Sequence, residues 1–343
     1  MHQLRPWLSR FLAVSLLLAL GGATALGQGF GPEAFGIPSR FGSAAPTTTR
    51  GLALGAVTTT LNDVQFANPA FLPLRPGPDV SVRYNRTTFD NCPDLTSLHA
   101  NYVRPLRLGH SGFQVTWLDM DSSAGNTALL GLGPGPVPAA LEMSETALVV
   151  DYGRRVGAKS TIGLSVLGFQ RVDFSLVPPV GPKLMDLRAK ADFGGRLGAV
   201  YEYQPGDYLG IIYNFAQHTV DASGLLLGGA ASSPVYHDDL LSAGMSWHVN
   251  PRLLAVGEFH WGRIWRGAFR EGTTALHYGV EYEALPGLAL RVGQADSQLT
   301  CGAGYARGGW RVDYAFLQDW NNGAVGRLFG GSDTNSLQAS CEW

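Results

Sequence analysis

The densest run of reactive side chains in the sequence is His237-Asp238-Asp239, with Ser232 and Ser233 just before it. A hydrolytic triad needs an exposed nucleophile, a buried base and an acid that orients the base. This run falls in an expected loop, residues 221–239, and lacks a nucleophile-elbow pattern, so no catalytic residue and no enzyme activity is expected of it. The eight histidines and the scattered acids form no pair at ligand spacing, which removes metal chemistry from the expectation. GLGPGP at residues 131–136 carries proline where a phosphate cradle needs amide donors. Cys92, Cys301 and Cys341 allow one disulfide at most, and Cys301 and Cys341 read as small apolar packing residues in strands. No cofactor is called for.

A second set of polar residues has a different logic. Arg196, Glu202, Glu258, His260, His277, Glu281, Arg291, Arg311 and Asp313 all occupy the polar positions of alternating segments. In LHYGVEYEA, Leu276, Tyr278, Val280 and Tyr282 share one face, while His277, Gly279, Glu281 and Glu283 share the other. GWRVDYAFL and RLGAVYEY repeat the pattern. Such residues are placed to cross-link neighbouring strands by charge.

The elements that carry them are strands. Only 15% of the residues are charged, glycine contributes 45, and Phe, Tyr and Trp contribute 16, 12 and 8, a composition poor for helices and suited to strands and membrane interfaces. From residue 79 to 343 about fourteen segments of strand character are separated by turn signals. Short links such as QPGD, VNPR and LPG contrast with expected long loops at residues 120–145, 177–192 and 221–239. Aromatics gather near segment ends (Tyr201, Tyr203, Tyr208, Trp261, Trp265), and the chain closes on Trp343. A membrane barrel needs an apolar exterior with aromatic girdles, and a soluble sandwich does not. The expected fold is therefore all-β, a transmembrane antiparallel barrel of about 14 strands. A net charge of -2 gives no reason to expect nucleic acid.

The N-terminus adds a location. Arg5 and Arg10 precede the apolar run FLAVSLLLAL and an Ala-Thr-Ala site, so residues 1–25 read as a secretory signal cleaved near Ala25. A Gly-, Pro- and Ser-rich leader, residues 26–50, follows. Residues 51–78 then read as a hatch tucked in the lumen, and residues 79–343 as the barrel.

Within that hatch lies LNDVQFANPAFLP, residues 61–73. Pro69 removes a backbone donor and holds Asn68 extended, so the segment keeps a fixed bend. Asn62, Asp63, Asn68 and Pro69 are the candidate hinge or gate, Asn68 capping the bend and Asp63 bonding backbone amides. Leu61, Val64, Phe66, Phe71 and Leu72 are the candidates for an apolar ligand pocket beside it.

Gly51, Gly55, Asn62-Asp63-Val64 and Asn68-Pro69-Ala70-Phe71-Leu72 together resemble the N-terminal hatch of the FadL-like, PorV/PorQ outer-membrane family. Residues 276–343 resemble that family's last hairpins, with Gly-x-Glu-Tyr, Leu-Ala-Leu-Arg-x-Gly, Gly-x-Gly and Asp-Tyr-Ala-Phe in order. The terminal Trp343 is similar to the signal read by the barrel-assembly machinery. The resemblance implies a fourteen-stranded barrel in the outer membrane of a diderm bacterium, in contact with its lipid. It implies passage of small hydrophobic compounds; the alternatives are an accessory that binds secreted protein cargo, or a barrel that transports nothing.

Overall fold

Each strand here places apolar side chains on one face and polar ones on the other, so the sheet has to choose which face lines its interior. The structure is a computed structural model that describes residues 48–63, 68–89, 94–107, 111–122, 127–130, 137–177, 183, 185–223, 233, 235–266, 269–296, 298–318 and 332–343. The expected signal peptide, all but the end of the leader, Val64, Phe66 and Cys92 lie outside the described residues.

The strands are β1 (Asp79–Phe89), β2 (Leu95–Arg107), β3 (Ser111–Ser122), β4 (Thr127–Leu130), β5 (Val137–Arg155), β6 (Ser160–Val177), β7 (Met185–Gln204) and β8 (Asp207–Ser223). They continue as β9 (Val235–Asn250), β10 (Leu253–Arg266), β11 (Phe269–Leu285), β12 (Leu288–Ala295), β13 (Gln298–Arg307), β14 (Trp310–Gln318) and β15 (Ser332–Glu342). All neighbours are antiparallel, β1 pairs with β15, and β3 pairs with β5, so the sheet closes on itself. The four-residue β4 pairs only with the start of β5 and stands outside the ring, leaving a barrel of fourteen strands. Closure removes the edges that an open sheet would leave unpaired.

The polar face is the inner one. Along β1, Asp79, Ser81, Arg83 and Thr87 are buried, and Val80, Val82 and Tyr84 between them are exposed. The same inversion runs round the ring through Ile162, Leu164, Leu197, Ile211, Val280, Leu290, Val292 and Val312, all exposed. So large a continuous apolar surface belongs against hydrocarbon. Tyr152, Tyr201, Tyr282, Tyr305 and Trp310 mark its lower rim, at the end where links are short, and Trp117, Phe169, Phe193 and Trp261 its upper rim. We call these the turn end and the loop end. No helix among the described residues is long and apolar enough to cross a membrane.

At the loop end the strands run further than the periodicity predicts. Residues 185–192 belong to β7 and residues 235–239 to β9, where loops are expected, and β4 and the start of β5 lie within residues 120–145. Here outward positions carry Arg171, Arg188 and Lys190 in place of apolar residues, so the alternation that marks a lipid-facing strand is lost while the ladder persists. His237-Asp238-Asp239 is accordingly part of β9, with Asp238 facing in toward His218 and Asp239 facing out toward Tyr213 and Arg263.

Residues 48–63 and 68–78 fill the lumen. They form one short helix, α1 (Thr49–Ala53), a turn, and a 3-10 helix (Pro69–Leu74) before the chain enters β1. Thr48 caps α1, accepting from the Gly51 amide at 2.8 Å, and Gly55 follows the helix with φ +85, the left-handed conformation glycine adopts without strain. The 3-10 helix opens on Asn68, whose side-chain oxygen accepts from the Ala70 amide at 3.1 Å, and Pro69 takes the first position, where a missing N–H costs least.

Candidate functional site

The hatch is fastened to the wall in two ways, by backbone contact and by charge. The first depends on residues with no side chain. Gly112, Gly153, Gly163 and Gly198 are cross-strand partners in one unbroken row over β3, β5, β6 and β7, all facing the lumen. The 3-10 helix lies directly on this row. A Cβ at Gly112 would stand 2.8 Å from the Leu72 carbonyl oxygen, and one at Gly163 would meet Pro69 and Ala70 backbone. Cβ atoms at Gly153 and Gly198 would meet the Pro69 carbonyl and the Asn68 side-chain oxygen. Two further partner pairs continue the arrangement, Gly210 with Gly244 against Thr59, and Gly279 with Gly293 against Leu54 and Gly55. Asn68 secures the join, donating through Nδ2 to the Thr59 carbonyl at 2.9 Å.

Charge supplies the second fastening, on the opposite wall. Arg50 of the hatch grips Glu281 of β11 through Nε and Nη2, at 2.8 and 2.6 Å. Arg291 of β12 donates to Glu281 at 2.5 Å and to Asp313 of β14 at 2.7 Å, crossing β13 where it presents Gly304. Arg311 of β14 pairs with Asp313 at 2.6 Å and, at 3.0 Å, with Asp63, which returns the chain to the hatch. Six charges alternate in sign and sum to zero. Partial burial in the lumen works against the charge of the Arg50 guanidinium, yet Glu281 and Asp63 outweigh it and hold its pKa above the ordinary value.

Between the two fastenings stands Glu258 of β10. Its carboxylate accepts from the Thr58 amide (2.8 Å), the Thr58 hydroxyl (2.5 Å), the Thr59 amide (2.7 Å) and the Thr59 hydroxyl (2.7 Å), and is joined by His260. His260 stacks on His277, centroids 4.1 Å apart, and His277 bonds the Gly55 carbonyl oxygen at 2.6 Å.

The candidate residues divide accordingly. Asn68 and Pro69 sit on the glycine row, while Asp63 belongs to the charge chain. Asp63 pairs with Arg311 on the basic wall of β14 and accepts from the Thr48 hydroxyl at 2.7 Å. Asn62 is half-buried in the same stretch. Of the apolar candidates among the described residues, Leu61 packs with Leu54, Val57, Leu254 and Val256, and Phe71 and Leu72 pack with Ala70, Val103 and Val200. Of the inward charges, Glu202 stands apart, accepting from the Gly206 amide in a turn. Trp343 is exposed at the turn end, its amide bonded to the Pro78 carbonyl oxygen at 3.2 Å. Cys301 and Cys341 are free thiols on the wall, and no group of three metal-capable side chains occurs among the described residues.

Above the hatch the wall itself is interrupted. The β6–β7 ladder runs from Ser160 and Tyr201 to Val166 and Gly195, stops, and resumes at Arg171 and Lys190. Each strand carries one extra residue at this height, Gly168 in β6 against β5 and Asp192 in β7 against β8. Such bulges bend each strand away from its unbroken partner. A cavity of about 40 Å³ occupies the gap, lined by inward Leu167, Gln170, Arg196 and Asn214 and also by Gly195 and Phe215, which belong to the outer face. The sequence analysis missed this window; its signal is Gly168 and Asp192, each one residue out of step with the alternation around it.

No protein-family model and no curated protein sequence matches this chain. Solved structures do. The Ralstonia pickettii toluene transporter TbuX superposes with a TM-score of 0.62 at 15% identity, over 87% of this chain and 98% of that one. The fold is FadL-like. The monoaromatic hydrocarbon channel CymD gives 0.60 at 13% identity over 87% and 98%, and a Pseudomonas aeruginosa FadL homologue gives 0.57 at 14% over 87% and 99%. The FadL-like barrel described here thus spans nearly the whole length of these neighbours.

Proposed function

We propose that this FadL-like barrel sits in the outer membrane of a diderm bacterium and passes small hydrophobic compounds. The observation that carries the reading is the window between β6 and β7. Unpaired strand backbone in a barrel wall is costly in lipid, and two matched bulges maintain it. Its rim is aromatic: Phe193 and Phe215 have centroids 6.1 Å apart, and Phe169 packs edge-on to Trp117 at 5.8 Å. An apolar solute entering at the loop end meets the hatch below and this lateral opening beside it. The neighbours are named as toluene and hydrocarbon channels, which supports the same class of solute. In this reading the hatch at Asn62, Asp63, Asn68 and Pro69 blocks the axial route and yields when its bend shifts.

The test is uptake of labelled toluene by cells that make the protein. Deleting Gly168 and Asp192 together restores regular alternation on both strands, since Leu167 and Gln170, and Ala191 and Gly194, already face inward. Uptake that falls in this variant, while the barrel still migrates as a heat-modifiable band, is the expected result. Unchanged uptake overturns the proposal.

A further inference from the structure

The lumen wall formed by β15, β1 and β2 is unlike the rest. Its inward positions are almost all polar and buried: Thr334, Ser336, Gln338 and Ser340 on β15, Asp79, Ser81, Arg83 and Thr87 on β1, and Ser97, His99 and Asn101 on β2. At its centre, Gln338, Arg83 and His99 are direct cross-strand partners in one row. Inward neighbours in such a row have Cβ atoms about 5 Å apart, so their side chains share one space.

Arg83 is 3% exposed and has no carboxylate partner among the described residues. Its guanidinium reaches the ring nitrogens of His99 at 2.8 and 3.1 Å. A guanidinium only donates, so His99 is a neutral acceptor there and brings no compensating charge. Asp63, the carboxylate whose charge acts on Arg83, is itself bonded to Arg311 and Thr48. Arg75, lower on the same side, has Asp79 and Glu342. Arg83 is therefore buried without a direct ion pair, with only the more distant charge of Asp63 acting on it, and burying a charge that way is costly. Further donors lie beside it. Arg83 Nε, Gln338 Nε2 and the Ser81 hydroxyl are each buried without a hydrogen-bond partner. Gln338 is fixed through its other atom, Oε1, which accepts from the Thr49 amide at 3.1 Å and leaves the NH₂ group turned to the row.

We propose that this row is a binding site for one small hydrophilic oxyanion of the formate or acetate class. Arg83 supplies the charge, and Gln338 and Ser81 supply further hydrogen bonds. A carboxylate satisfies a cation and several donors at once, which no neutral solute does. The surroundings set the size and character of the ligand: Asn101, Ser336 and Ser340 offer no apolar lining for a hydrocarbon tail. The site is thus distinct from the hydrophobic route, and it stands or falls independently of it.

Thermal unfolding of the full chain in detergent tests the assignment, because a ligand that binds only the folded state raises its midpoint in proportion to the logarithm of concentration. At constant ionic strength, sodium formate raises the wild-type midpoint and formamide does not. Arg83→Gln loses the response, whereas Arg263→Gln, whose cation lies on the outer face beside Asp239, keeps it. Gln338→Ala, which removes one donor and keeps the cation, weakens the formate response without abolishing it. A formate response that survives Arg83→Gln, or a wild type that does not distinguish formate from formamide, overturns the proposal, as does a Gln338→Ala protein whose response equals that of the wild type.

Discussion

The side-chain oxygen of Asn68 occupies the space that a Cβ on Gly198 would take. A hatch residue and a wall residue of β7 thus fit only because one of them is glycine. Gly198→Ala forces the 3-10 helix off its row, at an overpacking cost of about 1–3 kcal/mol. The barrel ladder is untouched, so the variant should still show heat-modifiable migration while its hatch becomes open to protease. An unaltered digestion pattern would refute this.

Asp63→Asn leaves Arg311 with one fewer anion and the charge chain with a net positive charge. Breaking one partner out of a buried pair costs about 3–5 kcal/mol. Urea unfolding of Asp63→Asn, Arg311→Gln and the double variant measures the coupling, and the double variant should lose less than the two single losses combined.

Glu258→Gln keeps the shape of the side chain but removes the carboxylate to which four hatch donors are bound. The expected cost is about 1–3 kcal/mol, concentrated in the hatch. Hydrogen exchange should accelerate at the Thr58 and Thr59 amides and stay unchanged in the ladder between β10 and β11.

Pro69→Ala retains the Asn68 cap, so its effect on stability is small, about 0.4–1 kcal/mol through the freedom gained by the unfolded chain. Its effect on toluene uptake should be larger than its effect on the unfolding midpoint, since the bend itself is what the change loosens. Equal, proportionate changes in both would remove the bend from the mechanism.

The strand rhythm was legible because a lipid-facing wall obeys a strict period of two, as Tyr278, Val280 and Tyr282 against His277 and Glu281 illustrate. The inward charges followed from the same period, but their partners did not. Nothing in the order of residues says that Arg291 passes over β13 to reach Asp313, or that the chain of charges begins and ends in the hatch. The glycine row was equally hidden. Gly112, Gly153, Gly163 and Gly198 look like ordinary weak points of four strands until register sets them side by side. Strand ends at the loop end were misjudged where Arg188, Lys190 and Asp192 replaced apolar residues, and the window was missed because a bulge appears in sequence only as one residue out of phase.

The hatch also runs against the order of the wall. Its later piece, the 3-10 helix, touches β2, β3, β5, β6 and β7, while its earlier piece, α1, touches β12, β13, β14 and β15. Residues 48–63 and 68–78 therefore tie the early strands of the sequence to the last ones across the ring, as an internal splint: the wall that clasps Pro69 and the wall that holds Arg50 and Asp63 are braced against each other from within. The segment stiffens the cylinder as well as filling its bore.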